Sequence, residues 1–360
     1  MRFAFTDDQL AFRDAVRDLL TKACPPEVVR AAWPDGTDAH GARKGEGARA
    51  GADAVERVWA DLADMGVLGI AVPESRDGLG LGELDWVLLA EETGYAALPH
   101  PYVETACVTA PLLADTDDPH GALAGLIDGS RRAGVLALDT TVVAWGDAVT
   151  YLLSLEHRRD GADEGWVARR IEGGLAVGDT EDRRRSLADA LDPGRRLVRL
   201  GIWRSDTGFG EGGAAERAFD RGALATSAQL VGLGRRMLDL TVGYVAERRQ
   251  FGVPVGSQQA VKHHLADAAM GLRFAAPAVY GAAWAMATGD EHAGRAVSTA
   301  KALASDAART AARAALQCHG AIGYTVEYDL HLYLKRAEAL ARTWGDAAWH
   351  RRRVASVLGI

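Results

Sequence analysis

Residues 246–267 read Ala246-Glu-Arg-Arg-Gln-Phe-Gly-Val-Pro-Val-Gly-Ser-Gln-Gln-Ala-Val-Lys-His-His-Leu-Ala-Asp267. A long Ala-rich helical stretch runs into this segment, bends at Phe251-Gly-Val-Pro254 and leaves as a second one. Gly252 permits a sharp turn, and Pro254, lacking an amide hydrogen, breaks helical continuity. Working outward, the pattern predicts helices over Leu224–Arg249, Gln258–Thr288, Glu291–Cys318, Asp329–Arg342 and Asp346–Val357. Long helices with short Gly-containing joints describe an up-and-down four-helix bundle, placed at residues 214–360.

The middle, residues 119–213, reads differently. Gly134–Leu138, Ala148–Ser154, Trp166–Ile171 and Arg196–Trp203 are short, β-prone and separated by polar breaks, which predicts a small antiparallel sheet unit. The four glycines of Asp206–Glu216 mark a connection between domains. Residues 1–118 form an N-terminal helical domain. Its first helix covers Asp7–Leu20, with Thr6 or Asp7 as N-cap and Pro25-Pro26 ending it. A loop follows from Pro34 to Asp53, then a helix over Ala54–Met65. Val67–Val72 is an extended apolar run leading into a Gly-rich turn. Helices at Glu83–Gly94 and Tyr102–Ala114 close the domain. The fold class is mainly α with a small β domain.

Composition bounds the function. Hydrophobic residues make up 48% and charged residues 25%, a globular balance. Lys plus Arg number 41 against 49 Asp plus Glu, a net charge of −8, which leaves no excess for a phosphate-tracking groove. The basic runs at 183–185 and 351–353 read as solvated faces. No apolar stretch reaches membrane-spanning length, and acids follow too soon after Met1 for a signal peptide, so a cytoplasmic chain is expected. Cys24, Cys107 and Cys318 lack metal or disulfide spacing, and His263, His264 and His319 lack ligand partners, so no metal is expected.

A second segment reads Ala315-Leu-Gln-Cys-His-Gly-Ala-Ile-Gly-Tyr-Thr-Val-Glu-Tyr-Asp-Leu-His-Leu-Tyr-Leu-Lys-Arg336. With 246–267 and with Val72-Pro-Glu-Ser-Arg-Asp-Gly-Leu-Gly-Leu-Gly82, it resembles the signatures of the flavin-dependent acyl-CoA dehydrogenase family. The resemblance covers nearly the whole chain and matches its helix–sheet–helix order. On residues alone, Arg248 offers either a planar donor fork for a pyrophosphate or half of an ion pair. Phe251 offers an adenosine contact or a plug for the interhelical joint. The resemblance implies the first of each: Arg248, Gln250 and Phe251, with Gln317, Cys318, Gly320 and Ala321, hold the ADP half of an FAD belonging mainly to a neighbouring subunit. Ala321 replaces the family's second glycine, a small change that preserves close approach.

The same resemblance exposes losses. The family's base is a Glu, taken from one of two places. Aligning Gly345 with the family's glycine puts Trp344 at the first; counting back from Arg248 puts Gly222 at the second, followed by Ala223. Neither Trp nor Gly takes a proton. The loop and strand that hold the isoalloxazine in the family correspond to Ala137–Asp147, with only two Asp and two Thr as polar candidates. Trp145 there is a sheet-core residue or a ring contact. Asp346 and Ala348 stand where flavin-touching polar residues are usual; Asp346 is a helix N-cap or a substitute base. What survives is the half-site offered to a neighbour. That division resembles the non-catalytic chain of the family's heteromeric branch, known from steroid side-chain degradation. It implies an α2β2 assembly with a homologous catalytic subunit that supplies the Glu and most acyl-CoA contacts, with an electron-acceptor protein downstream. Two other readings stand beside it: a self-sufficient flavoenzyme using Asp346, and a flavin-free interaction protein.

Overall fold

The computed structural model describes residues 4–33, 46–138, 140–158, 165–172, 190–200, 204–205, 208–209 and 213–360. Helix α1 (Asp7–Ala23) opens on a capping box in which Thr6 Oγ1 accepts from the Gln9 amide at 3.2 Å and Gln9 Oε1 from the Thr6 amide at 2.9 Å. Pro26 does more than end it: as a first-turn residue it starts α2 (Pro26–Ala31). Helix α3 spans Glu46–Asp64, so the part of the expected loop that lies within the described residues is helical. Gly51, in that extension, lies so close to Ala31 of α2 that an added Cβ would sit 2.8 Å from the Ala31 Cβ.

The expected extended run after Gly66 is a pair of 3₁₀ turns instead, at Val67–Gly69 and Glu74–Arg76. The Leu79 amide bonds the Gly69 carbonyl and the Gly80 amide that of Val72, so the Gly-rich turn folds back and serves the backbone groups a strand partner would have taken. Helix α4 (Glu83–Tyr95) follows as expected. The next helix is a π-turn over Val103–Thr109 before α5 (Ala110–Asp115) takes over. Pro111 lacks the amide that α-register would need at that junction. A short α6 (Leu123–Ile127) leads to the sheet unit.

There, β1 (Ala133–Ala137), β3 (Tyr151–Arg158), β4 (Gly165–Glu172) and β6 (Arg204–Ser205) form one sheet in the order β1-β3-β4-β6. β2 (Val142–Val143) and β5 (Val198–Arg199) pair separately. β4 runs antiparallel to β3 and β6 as expected, whereas β1 and β3 are parallel. Residues 138–150 supply the crossover such a pairing requires, and they carry Trp145. Within the described part of the expected Arg196–Trp203 strand only Val198–Arg199 is β; residues 201–203, Asp139, the 183–185 basic run and five of the eleven residues of the glycine link lie outside the described residues.

Five helices complete the chain: α7 (Gly213–Glu247), α8 (Gln259–Ala287), α9 (Ala293–His319), α10 (Leu330–Leu340) and α11 (Ala347–Leu358). α7 begins well before Leu224, absorbing the last residues of the expected link. Its early turns are held by Arg217 and Arg221, both bonded to the buried carboxylate of Glu83 at 3.0 Å. α4 and α7 cross in backbone contact, Gly94 against Gln229 and Gly232 against the Glu91 carbonyl, with no room for a Cβ at either glycine. One core joins the N-terminal helices to the bundle through Trp59, Trp86, Phe219 and Trp344. A smaller core of Leu136, Val143, Trp145, Leu152 and Ile171 belongs to the sheet unit.

Candidate functional site

The last turn of α7 and the loop after α9 meet. Arg248 ends α7's approach to a tight hairpin, β7 (Arg249–Gln250) and β8 (Val253–Pro254), closed by a 2.8 Å bond from the Val255 amide to the Arg248 carbonyl. Phe251 forms its tip at φ 54° and is 98% exposed. It therefore plugs no joint. The Arg248 guanidinium is exposed, 5.7 Å from the Tyr244 ring, with no ion pair among the described residues. The Gln250 amide donates to the Arg249 carbonyl at 2.9 Å and stays exposed.

Opposite, Gln317 is exposed and Cys318 half-buried, its thiol pushed up by desolvation. Gly320 turns the chain at φ 66° with nothing within 4 Å of where a Cβ would point, and Ala321 beyond it is exposed. A free cation, an uncovered aromatic ring and an open glycine turn are what a ribonucleoside diphosphate requires of a surface. Joining the two segments are residues that carry no family signal on their own. The Tyr244 ring stacks on His319 at 4.3 Å and 19°, and Tyr328 lies 4.8 Å from His319. Tyr244 precedes Arg248 by one helical turn, the one clue in the sequence that both face the same way.

Residues 222 and 344, the two positions where the resemblance leads one to expect a base, also meet, and the result is closure. Trp344, 4% exposed at φ 60°, lays its indole on Gly222, where an added Cβ would sit 2.6 Å from the ring. Phe219 packs 6.0 Å from Trp344 and stacks on Trp166 at 4.4 Å; Trp349 closes the other side at 5.3 Å. The strained turn at Trp344 is held from behind. Fully buried Lys301 donates to the Gly345 and Ala341 carbonyls at 3.0 and 3.2 Å, and His350 Nε2 to that of Trp344 at 2.8 Å. Desolvation lowers Lys301 to about 7 and His350 to about 3.

Nearby acids are engaged. Asp346 accepts from the Trp349 amide at 2.7 Å and caps α11, so its N-cap reading is the one realised. Asp220 pairs with Arg353, and Arg221 reaches Glu83 and Asp115. At the seam between sheet and bundle, Trp145 is buried in the small sheet core with Arg195 and Arg336 5.5 and 5.8 Å from its ring. Arg195 donates to Thr343 at 3.0 Å, and Arg336 binds Asp192, so Arg195 links the segments around 145 and 343. Glu104, buried beside Arg195, has its carboxyl pushed up by desolvation, with Arg195 opposing. His263 and His264 are exposed on α8, His319 is core, and no metal-holding cluster occurs among the described residues. No described helix is long and apolar enough to cross a membrane.

Known proteins share this architecture. Residues 6–118 match the acyl-CoA dehydrogenase N-terminal domain and residues 210–359 the C-terminal domain. The chain is 32% identical over 93% of its length to the acyl-CoA dehydrogenase IpdE2 of Mycobacterium tuberculosis, covering 92% of that protein. It is 33% identical over 98% of its length to FadE34 of the same organism, covering 48% of it. Among solved structures it superposes on the ChsE4-ChsE5 complex of M. tuberculosis with TM-score 0.77 at 22% identity (100% of this chain, 99% of that one). It superposes on a Tcur3481-Tcur3483 steroid acyl-CoA dehydrogenase variant with TM-score 0.77 at 23% identity (98% of each). The chain belongs to the acyl-CoA dehydrogenase family.

Proposed function

We propose that this chain is the non-catalytic subunit of a heteromeric, FAD-dependent acyl-CoA dehydrogenase. The observation that carries the reading is a contrast within one molecule: the face bearing Arg248, Phe251 and Gly320 lies open, while the cavity between the two base positions is filled by Trp344. Arg248 would neutralise the diphosphate of FAD, Gln250 and Phe251 contact its adenosine, and Gln317, Cys318, Gly320 and Ala321 line the turn beneath it. When bound, the flavin accepts hydride from the acyl β-carbon. This chain holds the ADP half in place; the α-proton goes to a Glu of the homologous catalytic subunit, in an α2β2 assembly. Support for a two-chain partner and a bulky, steroid-derived acyl group comes from relatives solved as the ChsE4-ChsE5 complex and as a steroid acyl-CoA dehydrogenase. A cytoplasmic location and an electron-acceptor protein belong to the same reading. The alternative with Asp346 as base is less favoured, because that carboxylate caps α11 through the Trp349 amide and the space at Gly222 is filled by Trp344.

The chain purified alone is expected to be colourless and inactive, and co-expression with a family member that retains the Glu is expected to give a yellow, active complex. A yellow, active homo-oligomer of this chain would overturn the reading.

A further inference from the structure

The candidate cofactor residues sit on two segments more than 60 residues apart, each at the end of a different long helix. No cofactor residue of one segment bonds directly to one of the other among the described residues. The coupling runs through His319. Its ring is 2% exposed, stacked on Tyr244 and tilted against Tyr328, and Nδ1 donates to the Ala315 carbonyl at 2.8 Å. The Tyr244 hydroxyl donates to the His319 backbone carbonyl at 3.4 Å. Gly320, which turns the chain out of α9, follows immediately, and a Cβ on Gly323 would lie 3.0 Å from His319 Cβ.

Nε2 is buried and has no hydrogen-bond partner among the described residues. Donation from Nδ1 to a backbone carbonyl fixes the tautomer and the orientation of the ring. That bond, with the contacts to Tyr244 and Tyr328, holds the ring in one orientation beneath the turn. Burial lowers its proton affinity, in keeping with a neutral ring.

We infer that the Tyr244–His319–Tyr328 stack is a positioning element: it sets the Gly320–Ala321 turn against Arg248, so that diphosphate and adenosine are gripped from both segments at once. The inference rests on the proposed FAD half-site. In this role His319 and Tyr244 act through their neighbours Gly320 and Arg248. Rigid preorganisation of two half-grips raises affinity by removing the ordering cost on binding.

The test uses the co-expressed complex, stripped of flavin and titrated with FAD, with affinity read by fluorescence and the unfolding temperature of the apo complex read in parallel. His319→Ala removes the stack and is expected to weaken FAD about tenfold, the scale of a lost aromatic pair. His319→Phe keeps an aromatic ring, somewhat larger and without the Nδ1 bond, and is expected to stay closer to the parent than His319→Ala, within about twofold. Val149→Ala, in the small sheet core, reports what general destabilisation alone does to affinity. The positioning role is overturned if His319→Ala binds FAD like the parent, if His319→Phe is as weak as His319→Ala, or if Val149→Ala weakens FAD equally. Arg248→Ala separates the two levels of the argument. Weak binding there with normal binding by His319→Ala sinks only the positioning role. Normal binding by Arg248→Ala sinks the half-site, and the inference with it.

Discussion

Two sites built from the same bundle differ in one respect: what occupies the space between their helices. At the far ends of α7 and α9, aromatic rings pack beneath the surface and leave Arg248, Phe251 and the Gly320 turn uncovered. At the near end of α7, aromatic rings fill the space itself, with Trp344 in the notch at Gly222 and Phe219, Trp166 and Trp349 around it. The same residue class makes a platform in one place and a plug in the other. Position relative to the surface decides which. A large ring costs nothing when it underlies a turn, but in a cleft it removes the volume a substrate would need.

The comparison breaks most readily at the plug. Trp344→Ala empties a cavity the size of an indole and is expected to cost about 3–5 kcal/mol in denaturant unfolding. A loss below about 1 kcal/mol would mean that the cleft is not filled as described. Gly222→Ala should cost about 1–3 kcal/mol, because its Cβ meets the indole and α7 has no slack there. In the Trp344→Ala background most of that cost is expected to vanish. Additive losses in the double variant would show that the two base positions do not touch.

Lys301 sharpens the same contrast through pH. Its folded value of about 7 lies below the ordinary lysine value of 10.5, so the unfolded chain binds the extra proton between them. The sign follows: stability attributable to Lys301 is complete above the unfolded value and is lost as pH falls through about 7. Relative to Lys301→Met, the parent is expected to gain up to about 1.4 kcal/mol per pH unit above neutrality. Parallel stability–pH curves for the two proteins would contradict this. The smallest effect belongs to the platform. Phe251→Ser, at an exposed tip, should change unfolding by less than about 0.5 kcal/mol while lowering flavin retention in the complex. A large stability loss there would make Phe251 a structural residue.

Much of this was legible in the chain. Helix spacing, the Phe251–Pro254 bend and the 315–336 segment point to the bundle and its family, and the expectation of no base at 222 or 344 follows from counting along two motifs. Other features were hidden for definite reasons. An apolar run such as Val67–Val72 suits a strand or a buried turn equally, and only the fold-back of Leu79 and Gly80 chooses between them. The parallel β1–β3 pairing depends on a crossover that short β-prone segments do not announce. His319 reads as a bland histidine until Tyr244, 75 residues earlier, is found against it.

The sequence by itself determined which chemical groups stand at the positions the proposal turns on: no carboxylate at 222 or 344, an arginine at 248, glycine at 320. Those are facts of covalent identity and need no fold. Only the tertiary structure decided that the losses form one object. Gly222 and Trp344 are 122 positions apart, and each alone reads as a missing base. Close packing brings them into contact, and there the absence of one side chain is what makes room for the other.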